Sequence, residues 1–433
     1  MTEAPLVSVI MATYNRGRHI LPSIRSVERQ TFRNFELVVV GDDCTDETAD
    51  VVRELGSEKI RWLNLDPRGG SQSFPNNAGI DAARGAFIAY IGHDDIWAPG
   101  HLEALLDLFA KDPALGIGVS GAIFHLPNDM PGSQVTGLFD DDEAKFTHFF
   151  PPSSFAHRKE LTRTIGAWRS PLETRPPVDV EFLVRAANAG LRFASTGRIT
   201  VHKFAAGHRY LSYVRHESHE QEAILQKMRR PGFDDDVAAI VDAARSAGSF
   251  MAVRYRDFSA LEPGQLAREN AVRKGMTLPP LQPVGSGHTI EQRPALCALD
   301  WRDLPEDGIR WANGNPRPRF LIPFTSDRPA RLSILLTHAD KDALRTLALT
   351  CNGAPLVVHL GKPVRAREGR QATASATVRL MRDDYSILEF GLCERQVTTP
   401  GHRGIGIGPI GVRPLRFSDR LRDGLPAILR AQR

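Results

Sequence analysis

Apolar and polar positions fall into short alternating blocks over the first hundred residues. The runs LVSVIMAT, FELVVV, IRWLNL and AFIAYI, between residues 6 and 91, are of strand length and nearly continuous in apolar residues. A strand reads this way when both sides of its pleat meet a core. Residues 20–30, 46–55 and 76–83 between these runs carry helical spacing instead. Strand and helix in alternation predict an α/β fold with a doubly wound, mostly parallel sheet. Further on, LGIGVSGAIF reads as another strand, and helices are predicted over 158–165, 178–189, 210–229 and 234–247. The second of these stops at Gly190, a residue that takes the left-handed conformation cheaply.

The pattern changes near residues 275–288, GMTLPPLQPVGSGH, where Pro and Gly break any period. Beyond them RPRFLIPF, ARLSILLTHA, LRTLALTCNG, APLVVHLG, ATASATVRL and YSILEFGLC are short strand-like runs with turn residues between. No long amphipathic helix interrupts them, so this part is expected to be a β-sandwich. The division is 1–230 for the α/β domain, 231–285 for a helical segment and linker, and 286–433 for the sandwich.

Composition narrows the classes. The 433 residues carry 55 Lys and Arg against 51 Asp and Glu, a formal charge of +4. That is too dilute for a nucleic-acid partner, which calls for a concentrated basic face. The start, MTEAPLVSVIMATYN, has neither a basic leader nor a small-residue cleavage site, and no run approaches the apolar length of a membrane span. A cytoplasmic protein is expected, with peripheral membrane association left open. Cys44, Cys297, Cys351 and Cys393 are widely spaced and make no CxxC pair, so they read as free thiols.

Three segments carry candidate chemistry. In VVVGDDCTDET a strand delivers acids to its carboxyl end, where ligands of open α/β sheets bind. Asp42 can accept from a uracil-type imide there, and Asp46 can cap the next helix. The other reading leaves these acids as solvated turn residues. In IAYIGHDDIWAPGHL, Asp94 and Asp95 stand side by side in a turn after a strand. Adjacent carboxylates repel unless a cation compensates, and hard oxygens suit Mg²⁺ or Mn²⁺ shared with a diphosphate. Asp95 as a turn cap and His93 as a packed imidazole is the alternative. In PPVDVEFLVRAANAG, Asp179 and Glu181 lie two residues apart near a helix start, so only one can face a cleft.

Together, VSVIMATYNRGRHILPSIRSVERQTFRNFELVVVGDDCTDET and NNAGIDAARGAFIAYIGHDDIWAPGHL closely resemble glycosyltransferase family 2, inverting enzymes of the GT-A fold. The resemblance is strong over about residues 7–105 and fades towards 204. It implies a nucleotide pocket at Thr13, Tyr14 and Asn15, with Asp42 on the base and Asn77 and His93 beside them. It implies metal ligation by Asp94, with Asp95 next to it and His202 closing the shell, and Asp179 as catalytic base. The implied cofactor is Mn²⁺ or Mg²⁺. The implied partners are a nucleoside-diphosphate sugar, uridine-linked first of all, and a glycan or lipid-linked acceptor of cell-surface polysaccharide synthesis.

The chain also departs from the family. Gly92 replaces the first aspartate of the DxD motif, Asn76-Asn77 stands where Arg-Asn is usual, and Val178 replaces the glutamate before Asp179. Arg16 and Arg68 are the candidate substitutes for the missing phosphate-pairing cation. Two other classes therefore stay open: a degenerate sugar-nucleotide or glycan binder, and a nucleotidyltransferase. Trp97 and Trp168 are either an acceptor platform or core, as are Trp301, Trp311 and Arg310 for a glycan at the sandwich. GIGPIG at 406–411 spells GxGxxG but has no helix after it and contains Pro409, which excludes a dinucleotide site.

Overall fold

The computed structural model describes residues 4–127, 132–206, 209, 212–213, 216–255, 257–274, 281–285, 287–290, 298–299, 309–311, 317–338, 343–366, 369–382, 385–393, 396, 405–416 and 419. The chain divides into two compact units, Met1–Asn270 and Ala271–Arg433.

The first unit is built on a nine-stranded sheet of β1 (Val7–Thr13), β2 (Phe35–Gly41), β3 (Ile60–Asn64), β4 (Phe87–Tyr90), β5 (Ile96–Trp97), β6 (Ile117–His125), β7 (Ser133–Thr136), β8 (Phe155–Arg158) and β9 (Phe193–Lys203). The order is β3-β2-β1-β4-β8-β6-β9-β5, with β7 on β6. β3, β2, β1 and β4 are all parallel, β8 is antiparallel to both neighbours, and β9 runs parallel to β6. This is the GT-A type of curled α/β sheet. Its helices are α1 (Leu21–Glu28), α2 (Thr48–Glu54), α3 (Ser73–Ala82), α4 (His101–Lys111), α5 (Ala144–Thr147), α6 (Leu161–Ile165), α7 (Val178–Asn188), α8 (His219–Lys227) and α9 (Phe233–Ser246), and α10 (Gln265–Lys274) begins in it and ends past Asn270.

The apolar runs explain the layers. In β1, Val7, Val9 and Met11 belong to one buried cluster with Leu37 and Val39, while Ile10 joins a second with Ile88, Tyr90, Ile117 and Phe182. Successive side chains take opposite faces, so a strand apolar at nearly every position has core on both. Trp97 and Trp168 are core residues: Trp97 Nε1 donates to the Ser153 carbonyl, and Trp168 stacks on Phe182 at 4.6 Å. The acceptor-platform reading of both therefore falls. Apolar residues of α9 pack on Ile123 and Val135, which keeps this helix with the first unit.

One predicted helix is shorter than its spacing suggested. Helical geometry begins only at His219, because Ser212 and Tyr213 turn back to Arg16, whose Nη1 donates to the Ser212 carbonyl at 2.6 Å. Residues 210, 211, 214 and 215 of that prediction lie outside the described residues.

The second unit is β-rich. One sheet joins His288–Ile290, Gly406–Pro414, Ala330–His338, Gly369–Val378 and His359–Leu360, and another joins Ala298–Leu299, Arg319–Ile322, Ser386–Gly391, Ala348–Cys351 and Ala354–Pro355. The ladders are antiparallel, and burial alternates along Gly369–Val378 as a one-sided sheet requires. GIGPIG lies inside the strand Gly406–Pro414, in keeping with its rejection as a nucleotide loop. Trp311 is buried, and Trp301 and Cys297 lie outside the described residues.

Candidate functional site

The carboxyl ends of β1, β2 and β4 meet at one edge of the sheet, where chain segments leave the parallel ladder and pack on one another. After β1 the chain turns through Asn15, whose φ of 41° is left-handed and whose side-chain carbonyl accepts from Thr45 N–H at 2.9 Å. The Arg16 and Gly17 N–H groups both donate to Thr48 Oγ1 at 2.8 Å. This turn presents Tyr14 and Arg16. Tyr14 stacks with Tyr213 at 6.3 Å, the Arg68 guanidinium lies 3.8 Å over the Tyr14 ring, and the Arg16 guanidinium lies 4.6 Å over the Tyr213 ring. Two guanidinium groups and two phenols thus form one cation–aromatic column.

Asp42, expected on a base, holds up one end of this column. It is 4% exposed, and its two oxygens accept from the N–H groups of Gly69 and Gly70, each at 2.7 Å. These bonds fix the loop that carries Arg68. His93 forms a wall: Nδ1 donates to the Ala12 carbonyl at 3.2 Å, and Nε2 faces the Tyr213 hydroxyl at 3.4 Å. Burial and then the Arg16 charge pull its pKa down to about 3, so the imidazole is neutral. Asn77 is spent elsewhere, for it donates to the Trp168 carbonyl and accepts from Trp168 N–H, both at 2.9 Å.

The Asp94-Asp95 turn separates its two carboxylates. β5 pairs antiparallel with β9, Ile96 opposite His202, and the next step brings Asp95 opposite Lys203. Asp95 is 0% exposed and bonds Lys203 Nζ at 2.8 Å, Phe204 N–H at 3.1 Å and the Ser153 hydroxyl. Burial works against the Lys203 charge, but Asp95, Asp94 and Asp179 outweigh it and hold the ammonium above the ordinary lysine range. Asp94 stays at the cleft, with Arg16 Nη2 3.8 Å from its Oδ2. Gly92 is where it is for a steric reason: a Cβ there would lie 2.6 Å from Asp95 Oδ2 and 3.0 Å from Asp94 Oδ1. Because Asp95 is pinned on three sides, Gly92→Ala is expected to cost about 1–3 kcal/mol. Thermal denaturation checks this, and an unchanged midpoint would show that the turn yields.

His202 does not close a shell around Asp94. Period-two alternation sends it to the other face from Lys203, where its Nδ1 meets His125 Nε2 at 2.9 Å and the rings stack at 5.1 Å. The expected metal set of Asp94, Asp95 and His202 is therefore not assembled. Among the described residues no three His, Cys, Asp or Glu side chains form a group that could hold a metal ion. Two cations, Arg16 and Lys203, already attend Asp94. A protein-held divalent ion does not fit this donor set.

Asp179 and Glu181 are resolved by their surroundings. Glu181 accepts from Arg185 Nε at 2.8 Å, one turn on, and pairs with Arg169 at 3.1 Å. Asp179 stands in the first turn of α7, where the helix dipole favours a carboxylate, within electrostatic reach of Lys203. The Tyr255 hydroxyl is buried without a hydrogen-bond partner among the described residues, and burial together with Asp179 raises its pKa. Lys203, Tyr213 and Tyr255 escaped the sequence reading. For Lys203 the signal was a cation ending a strand, two residues after the apolar Val201.

The sequence profile described as Glycosyl transferase family 2 matches residues 8–160. The first unit carries a glycosyl transferase family 2 domain. The Escherichia coli UDP-Glc:alpha-D-GlcNAc-diphosphoundecaprenol beta-1,3-glucosyltransferase WfgD is 38% identical to this chain over 107 residues, 25% of this chain and 42% of WfgD. The chain thus spans less than half the length of that relative. Among solved structures, S. aureus TarS 1–349 in complex with UDP aligns with 52% of this chain and 71% of its own, at 18% identity and a TM-score of 0.39. The mannosyltransferase PcManGT from Pyrobaculum calidifontis, in complex with GDP-Man and Mn²⁺, aligns with 57% and 77% at 19% identity and the same score. No helix among the described residues is long and apolar enough to cross a membrane.

Proposed function

We propose that the first unit is an inverting glycosyltransferase that moves a sugar from a nucleoside-diphosphate sugar to an acceptor hydroxyl. The observation that carries this reading is that Asp94 and Asp179 both lie within electrostatic reach of Lys203, while Arg16 joins Asp94 to the Tyr14–Tyr213 pair. The nucleoside lies against Tyr14 in the turn shaped by Thr13 and Asn15, and Asp42 acts on it together with the loop it holds. Asp94 flanks the diphosphate with its own charge offset by Arg16 and Lys203. Asp179 takes the acceptor proton while that oxygen attacks the anomeric carbon, and the bond to the diphosphate breaks on the opposite side. The Tyr255 hydroxyl is positioned to bond the acceptor beside Asp179.

The UDP-glucose in the name of the WfgD relative supports a uridine-linked donor, and its diphosphoundecaprenol supports a lipid-linked acceptor. A peripheral place at the cytoplasmic face of a membrane follows from that acceptor.

Release of nucleoside diphosphate from a panel of UDP- and GDP-sugars tests the reading. Asp179→Asn is expected to lower turnover about 10²–10⁴-fold while leaving UDP affinity within about twofold. Retained turnover would remove Asp179 from the chemistry. Binding with no turnover on any acceptor would leave a sugar-nucleotide binder, and release of pyrophosphate would mark a nucleotidyltransferase.

A further inference from the structure

We infer that Arg16 and Arg68 form the seat of the donor's diphosphate, so that the nucleotide binds without a divalent ion. This rests on the glycosyltransferase reading and goes beyond it in naming the groups that meet the phosphates. Arg16 Nε and Arg68 Nε are both buried and have no hydrogen-bond partner among the described residues. A guanidinium N–H buried away from water costs free energy unless an acceptor arrives, and an oxyanion is the acceptor it matches best. Both guanidinium groups sit on the Tyr14–Tyr213 column, Arg68 on the ring of Tyr14 and Arg16 on that of Tyr213. A nucleoside held at Tyr14 therefore has two cations on the same aromatic pair for the phosphates that follow it.

The scaffold keeps these groups in place and leaves one guanidinium donor of each without a partner among the described residues. The Arg68 loop is fixed through backbone N–H bonds to Asp42, and Arg68 has no ion pair with a described residue. Arg16 is fixed through Nη1 on the Ser212 carbonyl, and its contact with Asp94 at 3.8 Å is a loose one. Nε of each arginine remains for the ligand. The same neighbourhood argues against a divalent ion doing this work. Gly92 leaves no room for a second cleft carboxylate, Lys203 neutralises Asp95, and His202 faces the other way. The two missing elements, metal ligands and the usual phosphate-pairing cation, are thus compensated by one pair of arginines.

Calorimetric titration of UDP and GDP into the full chain, in EDTA and then in Mn²⁺, tests this. The favoured nucleotide is expected to bind in EDTA within about threefold of its affinity in Mn²⁺. Arg16→Gln and Arg68→Gln are each expected to weaken it about tenfold or more, the scale of a lost charge-assisted hydrogen bond. Uridine or guanosine, which lacks phosphates, is expected to bind both variants as it binds the wild type. That control separates lost phosphate contacts from a collapsed site, and Arg68→Gln tests the idea independently if Arg16→Gln disturbs the Ser212 turn. Binding seen only with Mn²⁺, or unchanged in both variants, overturns the inference and leaves the glycosyltransferase reading standing. No binding of any nucleotide in either condition overturns both.

Discussion

Acidification is expected to unfold the first unit between about pH 6 and pH 5, well above the range where carboxylates alone would act. Burial is the leading cause that lowers five histidine pKa values: His93, His101 and His202 to about 3, His125 and His157 to about 4. Each is neutral in the fold and free to protonate in the unfolded chain below its ordinary value near 6.5. A depressed folded pKa of this kind contributes stability that is present above the unfolded value and is lost as pH falls towards the folded one. Each histidine then costs about 1.4 kcal/mol per pH unit, so five together remove about 7 kcal/mol per unit from a total of about 5–15 kcal/mol. Near-ultraviolet circular dichroism against pH checks it. A transition confined below about pH 4 would mean that these imidazoles protonate in place.

The second large effect is expected at Glu36, far from the cleft. It is 1% exposed near the start of β2, and its carboxylate accepts from the Ser8 hydroxyl at 2.7 Å, Arg84 N–H at 2.8 Å, and Arg84 Nε and Arg61 Nη1, each at 2.9 Å. Burial alone would raise its pKa, yet these bonds bring it down to about 2. Glu36→Ala strands two guanidinium groups, Ser8 and a backbone N–H, and is expected to cost about 3–5 kcal/mol. That corresponds to a fall of roughly 6–20 °C in Tm for a unit of this size. A fall of about 2 °C or less would mean that water replaces the carboxylate. Arg61→Ala, at a partly exposed partner, should cost about 1 kcal/mol.

Much of this was legible in the sequence, for specific reasons. The runs around Val9, Val38 and Ile88 meet a core on both faces, so their strand character needed no tertiary information. Gly190 ends α7 with φ of 76°, as a helix stop at glycine requires. Asp94 and Asp179, picked from separate segments, both lie within electrostatic reach of Lys203, as strand ends and helix starts gathered at one edge of such a sheet would have them. The fate of Asp95 was not legible. It depends on an antiparallel pairing between residues more than a hundred positions apart, and nothing local to GHDDIW announces Lys203. Asp42 shows the same limit, since its partners are backbone N–H groups of a loop whose path no side-chain pattern encodes. Tyr213 was assigned to a helix for a similar reason, since the bond from Arg16 to the Ser212 carbonyl overrides local helical spacing.

One feature of the sheet bears on how such proteins can be recombined. The family match ends at residue 160, but β9 lies between β6 and β5, and it carries Lys203. A fragment cut at 160 would expose the open edges of both strands and leave Asp95 a bare buried charge, so it would aggregate instead of folding. Chimaeras that exchange the donor-binding half between relatives must therefore place their junction beyond Phe204. The unit of inheritance for this site is longer than its recognisable signature.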